Sequence, residues 1–188
     1  MAANPRKTRV RKSAAAVSVM LTAGGCVATT SDEIELRNVD WWKVIPKSSP
    51  SQLVNAFDRY CFAADGSTAH ARLIDDDYVQ VPKRGEINNY VVDSKKPLVM
   101  LSGSGSAYSC AVAAEARTGQ RNKMITYIDG RSDKSVPVST TSNGDTFWQL
   151  DANSIAFVKR NGPIGQPPQI LIGVSRSETK SAQTPAIH

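Results

Sequence analysis

Two histidines and three cysteines are all that this chain of 188 residues has. His188 is the last residue, so His70 stands alone in the interior. A His-based nucleophilic set and a zinc set therefore both lack members. Glycine is scarce where phosphate chemistry needs it. In LVMLSGSGSAYSC, residues 98–110, Gly103 and Gly105 are followed by no third glycine at the GxGxxG spacing and by no lysine. That excludes the dinucleotide fingerprint and the P-loop. The same SGSGS puts serine where a GxSxG nucleophile elbow needs its flanking glycines. Asp75, Asp76 and Asp77, with Asp65 upstream, gather carboxylates without the alternating spacing and central glycine of a calcium loop. We read them as a solvated turn, and expect neither metal nor cofactor. Likewise His70, in GSTAHARL, is expected in a loop or at a strand edge.

Acids are absent from the first 25 residues, where Arg6, Lys7, Arg9, Arg11 and Lys12 precede the small and apolar SAAAVSVMLTAGG. Thirteen residues are too few to span a bilayer, which takes roughly 20. The order basic, short apolar, small residues is that of a secretory signal. AGGC at Ala23 to Cys26 resembles the lipobox of bacterial lipoprotein precursors, although Ala23 stands where that family prefers leucine. The resemblance covers these residues only. It implies a diacylglycerol thioether and an amide-linked chain on Cys26, hence palmitate-type acylation and a durable membrane anchor facing the periplasm. An ordinary signal-peptidase cut after Gly25 or Ala28 is the alternative. Of 23 basic residues five precede Cys26, which leaves 18 against 17 acidic, a balance of +1. So neutral a chain offers little of the charge that nucleic-acid binding requires, and no nucleic-acid partner is expected.

The expected organisation is a signal peptide over 1–25, a polar tether over 26–38, a single domain over 39–175 and a disordered tail over 176–188. SSPSQLVNAFDRYCFAADG reads as the first helix, with Ser49 as N-cap, Pro50 at the first position, Gln52 completing a capping box and Gly66 as the stop. Its apolar stripe, Leu53, Val54, Phe57, Tyr60, Cys61 and Ala64, needs a sheet to cover it. A second helix is expected over TGQRNKMITYIDG, with Thr118 as the cap and Gly130 as the stop. Strands are expected at 78–81, 89–92 and 97–101, and a three-stranded meander at 146–150, 154–160 and 169–175. The five alanines between Ala107 and Ala116 favour a helix by propensity, whereas Tyr108, Cys110 and Val112 alternate as a strand would. The cysteines decide between them. With Cys26 lipidated or removed, Cys61 and Cys110 are the remaining pair in an exported chain, where a bridge is the default. A strand crossing beneath the first helix presents Cys110 to Cys61. We therefore expect a hairpin turned by Ser102–Ser106, and overall an α+β fold: an antiparallel sheet of six to seven short strands against two helices.

Paired Trp41 and Trp42 near an anchored end are binding candidates for glycan or membrane interface, against a core-edge role. Without a catalytic set, the chain reads as a noncatalytic cell-envelope lipoprotein whose domain binds or stabilises a protein partner. A pilotin-like secretion or pilus accessory lipoprotein is the nearest variant of that reading, and an envelope hydrolase using His70 the alternative of another class.

Overall fold

The computed structural model describes residues 31–38, 45–132, 138–161 and 168–178. Cys26, Trp41 and Trp42 lie outside them. Eight strands form one antiparallel sheet: β1 (Val79–Arg84), β2 (Ile87–Val91), β3 (Leu98–Ser104), β4 (Ala107–Glu115), β5 (Val138–Thr140), β6 (Thr146–Asp151), β7 (Ser154–Asn161) and β8 (Gln169–Arg176). Their spatial order is β1-β2-β3-β4-β8-β7-β6-β5, two four-stranded meanders joined where β4 pairs with β8. The α+β antiparallel class is as expected. The extra strand is β5, three exposed residues beyond the recognised meander. β3 and β4 form the expected hairpin, with Ser104 opposite Ala107 and Gly105 at φ +60 in the position that glycine-first hairpin turns require.

Helices cover one face of this sheet. α2 (Pro50–Ala56) starts as its sequence dictates, with Gln52 N donating to Ser49 Oγ at 3.2 Å and Ser49 N donating to Gln52 Oε1 at 2.7 Å. It then widens into a π-helical segment, Phe57–Phe62. That winding stacks residues five apart, and the rings of Phe57 and Phe62 lie 5.8 Å between centroids. The helix ends there, before Gly66. Asp65 caps α3 (Gly66–Asp75), accepting from Thr68 N at 2.8 Å, so Gly66 opens a helix instead of stopping one. α4 (Gln120–Asp129) follows β4 and ends at Gly130 as expected, but its N-cap is Gly119, not Thr118. Leu53, Phe57, Leu73, Met124 and Ile128 bury themselves against Val99, Val112, Ile172 and Trp148. Cys61 and Cys110, both fully buried, are disulfide-bonded with Cα atoms 5.2 Å apart, tying the π segment to β4. Among the described residues no helix is long and apolar enough to cross a membrane.

Both boundaries drawn from composition shift. Within the expected tether, Ser31–Asn38 forms a helix, α1, which lies against β1 with Leu36 half-buried and Arg37 in the last turn, where a cation favours the helix dipole. At the other end Arg176, assigned to the tail, is the last residue of β8. Its guanidinium donates to the carbonyls of Phe62 and Ala64 at 2.8 and 2.9 Å, bonds that composition does not reveal.

The other sheet face carries the row Asn89, Met100, Ala111, Gly173, Phe157 and Phe147 across six strands. The Phe157 ring lies directly on Gly173: a Cβ there would sit 2.8 Å from both Phe157 Cε2 and the Cys110 carbonyl oxygen. Backbone cannot yield cheaply at that distance. Gly173→Ala is therefore expected to destabilise by about 1–3 kcal/mol, as overpacking does, read as a shift in the urea midpoint. Combining it with Phe157→Leu should return part of the loss, and a neutral Gly173→Ala would refute this packing.

Candidate functional site

Where the β3–β4 hairpin passes the start of α3, the sheet and the helix leave a cleft of about 330 Å³. His70 lines it from the middle of α3, an exposed helical position and neither a loop nor a strand edge. The position follows from the Asp65 cap, which sets α3 in register with Gly66 beside Tyr108. His70 Nδ1 lies 2.8 Å from the Tyr90 hydroxyl, and the two rings meet edge-on with centroids 5.7 Å apart. Burial raises the pKa of Tyr90, so the phenol keeps its proton at neutral pH. A neutral hydroxyl thus orients the imidazole through Nδ1 and leaves Nε2 for a ligand.

The floor is polar. Gln80 Nε2 donates to Asn88 Oδ1 at 2.9 Å across β1 and β2, which leaves Asn88 Nδ2 and Gln80 Oε1 for a ligand. Lys83 contributes an ammonium without an ion-pair partner among the described residues, and Ser67, Ser102, Gly103 and Gly105 complete the rim. Among the described residues no carboxylate lines the cleft. The nearest along the chain, Asp65, is turned to its helix start and accepts from Ser67 Oγ at 2.8 Å. These backbone and hydroxyl bonds pull its pKa from 3.8 down to about 2. Because the folded value lies below the unfolded one, the stabilisation is complete above pH 3.8 and vanishes as pH falls through about 2. Wild type and Asp65→Ala should accordingly differ in thermal stability at neutral pH and converge in that acid window, as followed by circular dichroism. A difference that persists undiminished below pH 2 would contradict it.

The remaining candidates separate from the cleft. Asp76 caps the C-terminus of α3, accepting from Arg59 Nε and Nη2 at 2.5 and 2.8 Å and from the Tyr60 hydroxyl at 2.6 Å. These bonds hold its carboxyl below the usual range. Among the described residues no three His, Cys, Asp or Glu side chains gather as a metal set. The sequence reading missed Gln80, Asn88, Tyr90 and Lys83. A signal for the first three was present: strand alternation puts Gln80 on one face with Tyr78, and Asn88 and Tyr90 on one face with Val92, so polar groups fall on the core-facing side. What alternation does not give is the helix end that leaves that face uncovered. Comparison with protein-family models, with curated proteins and with solved structures returns no match to this chain, so its function rests on the geometry of the site.

Proposed function

We propose that the protein is a noncatalytic cell-envelope lipoprotein, exported and anchored through Cys26, whose domain holds a segment of a protein partner in the cleft between α3 and the β3–β4 hairpin. The observation that carries this reading is the lining of the cleft. Asn88 Nδ2, Gln80 Oε1, Lys83 and His70 Nε2 present donors and acceptors to one concavity, as recognition of a peptide backbone requires, while the imidazole is held by a phenol where a hydrolase would use a carboxylate. The buried cystine supports the compartment, since such bridges persist in oxidising surroundings.

Two measurements test it. Cys26→Ser should abolish incorporation of labelled fatty acid and move the protein from the membrane to the soluble periplasm. A photo-crosslinking residue at position 83, introduced in cells, should give a defined protein adduct that Gln80→Ala with Asn88→Ala removes. Absence of any adduct, together with an esterase or amidase activity lost in His70→Asn, would replace this reading by the hydrolase.

A further inference from the structure

A second cleft, on the far side of the sheet's β4–β8 junction, has a different chemistry. Its volume is about 240 Å³ and its lining is Ala116, Arg117, Thr118, Arg121, Arg160 and Ile170: three arginines and a hydroxyl, with no carboxylate among the described residues. The arginines come from three places. Arg117 lies on the connection between β4 and α4, Arg121 in the first turn of α4, and Arg160 near the end of β7 opposite Ile170. The connection is fixed from beneath. Fully buried Gln120 accepts from Arg117 N at 2.6 Å through Oε1 and donates to the Ser48 carbonyl at 2.9 Å through Nε2.

The three guanidinium groups are not equivalent. Arg121 is committed to structure, donating to the Gly144 carbonyl and to Thr146 Oγ1. Among the described residues Arg117 and Arg160 have no side-chain hydrogen-bond or ion-pair partner, and both are exposed, so nothing in the described structure accounts for placing them beside a third cation. One nearby acid is Asp145, one of whose oxygens accepts the Arg160 main-chain N–H at 3.2 Å and the other an Asn143 amide hydrogen at 3.4 Å. The first turn of α4 adds no acid and no capping side chain, so its field has the same sign as the arginines. Like charges gathered in a concavity repel unless an anion joins them.

We propose that this cleft binds a phosphate group, held in a fork between Arg117 and Arg160, with Arg121 and the Thr118 hydroxyl completing its shell. Guanidinium forks match phosphate oxygens in pairs. With a water occupying roughly 30 Å³ of liquid, the cleft has room for one such group and the atoms it esterifies. Free phosphorylated solutes and phospholipid headgroups share this chemistry. The assignment is independent of the cleft at His70 and of any lipid anchor.

Inorganic phosphate is the first probe, titrated into the intact protein at low salt and followed through the arginine Nε resonances and the melting temperature. Saturable binding is expected, weakened by roughly tenfold or more in Arg117→Gln and in Arg160→Gln. Lys123→Gln, the same charge change on the ammonium that bonds Ser51, should leave affinity intact. Co-sedimentation with phosphatidylglycerol vesicles against phosphatidylcholine vesicles then distinguishes the sources. Retention lost in the two arginine variants assigns a headgroup, and phosphate binding without retention assigns a soluble phosphate. No saturation by about 10 mM phosphate, a binding energy under roughly 3 kcal/mol, overturns the proposal, as does equal weakening by Lys123→Gln.

Discussion

Reduction of the cystine should lower the melting temperature on the order of 10 °C. Cys61 and Cys110 are separated by 49 positions, and closing a loop of that length removes unfolded-chain entropy equivalent to about 4 kcal/mol. A domain of ordinary stability has about 5–15 kcal/mol in total. For chains of this size each kcal/mol corresponds to roughly 2–4 °C. Single replacements by serine should do at least as much harm. Both positions are fully buried, beside Leu53, Phe57 and Val174 in one apolar cluster, and a hydroxyl there adds an unpaired polar group to the lost bond. Cys61→Ala with Cys110→Ala should cost less than the two serine variants added together, since one bond is lost once. Intact mass under nonreducing conditions is the direct check, and two free thiols in folded protein would refute it.

The same pair of residues shows what was legible in this chain. Alanine-rich AVAAEA favours helix locally, and the pairing of Cys110 with Cys61 overrode that propensity correctly, because a crosslink expected between two cysteines is a long-range constraint that local propensity lacks. Capping chemistry was legible where it was local: Ser49, Pro50 and Gln52 define the start of α2 within four positions. It failed at Gly66, where a stop and a start look alike. Glycine ends helices by adopting positive φ, but it also follows a capping residue at the start of one. Only the Asp65 side chain bonding Thr68 decides which applies. The candidate site was unreadable for the same reason. Its histidine, amides and lysine are separated by up to 18 positions along the chain, and they meet because α3 begins where it does.

Arg176 is what holds that beginning in place, and Arg176→Met should destabilise the protein by about 3 kcal/mol. The end of the π segment leaves carbonyl oxygens without helical partners, as every helix end does. Here they point inward. Arg176 Nη1 donates to Ala64 O at 2.9 Å and to the Tyr108 hydroxyl at 2.8 Å, Nη2 donates to Phe62 O at 2.8 Å, and the Tyr108 hydroxyl donates onward to Cys61 O at 2.9 Å. The guanidinium also lies 5.2 Å from the centroid of the Tyr108 ring. Methionine keeps the apolar stem and removes every donor, so the carbonyls of Phe62 and Ala64 lose charge-assisted bonds in a partly dry site. Lysine should recover little, because one ammonium cannot reproduce a fork that serves two carbonyls and a hydroxyl. Arg176→Met and Tyr108→Phe share these acceptors, and their combined cost should therefore fall short of the sum. Urea unfolding at unchanged slope measures it, and a shift within about 0.5 kcal/mol would sink the argument. The consequence reaches the cleft. Loosening the carbonyls of 62 and 64 loosens Asp65 and the first turn of α3, so the resonances of His70 and Tyr90 should broaden in Arg176→Met, whereas those of Trp148, buried on the opposite half of the sheet, should not.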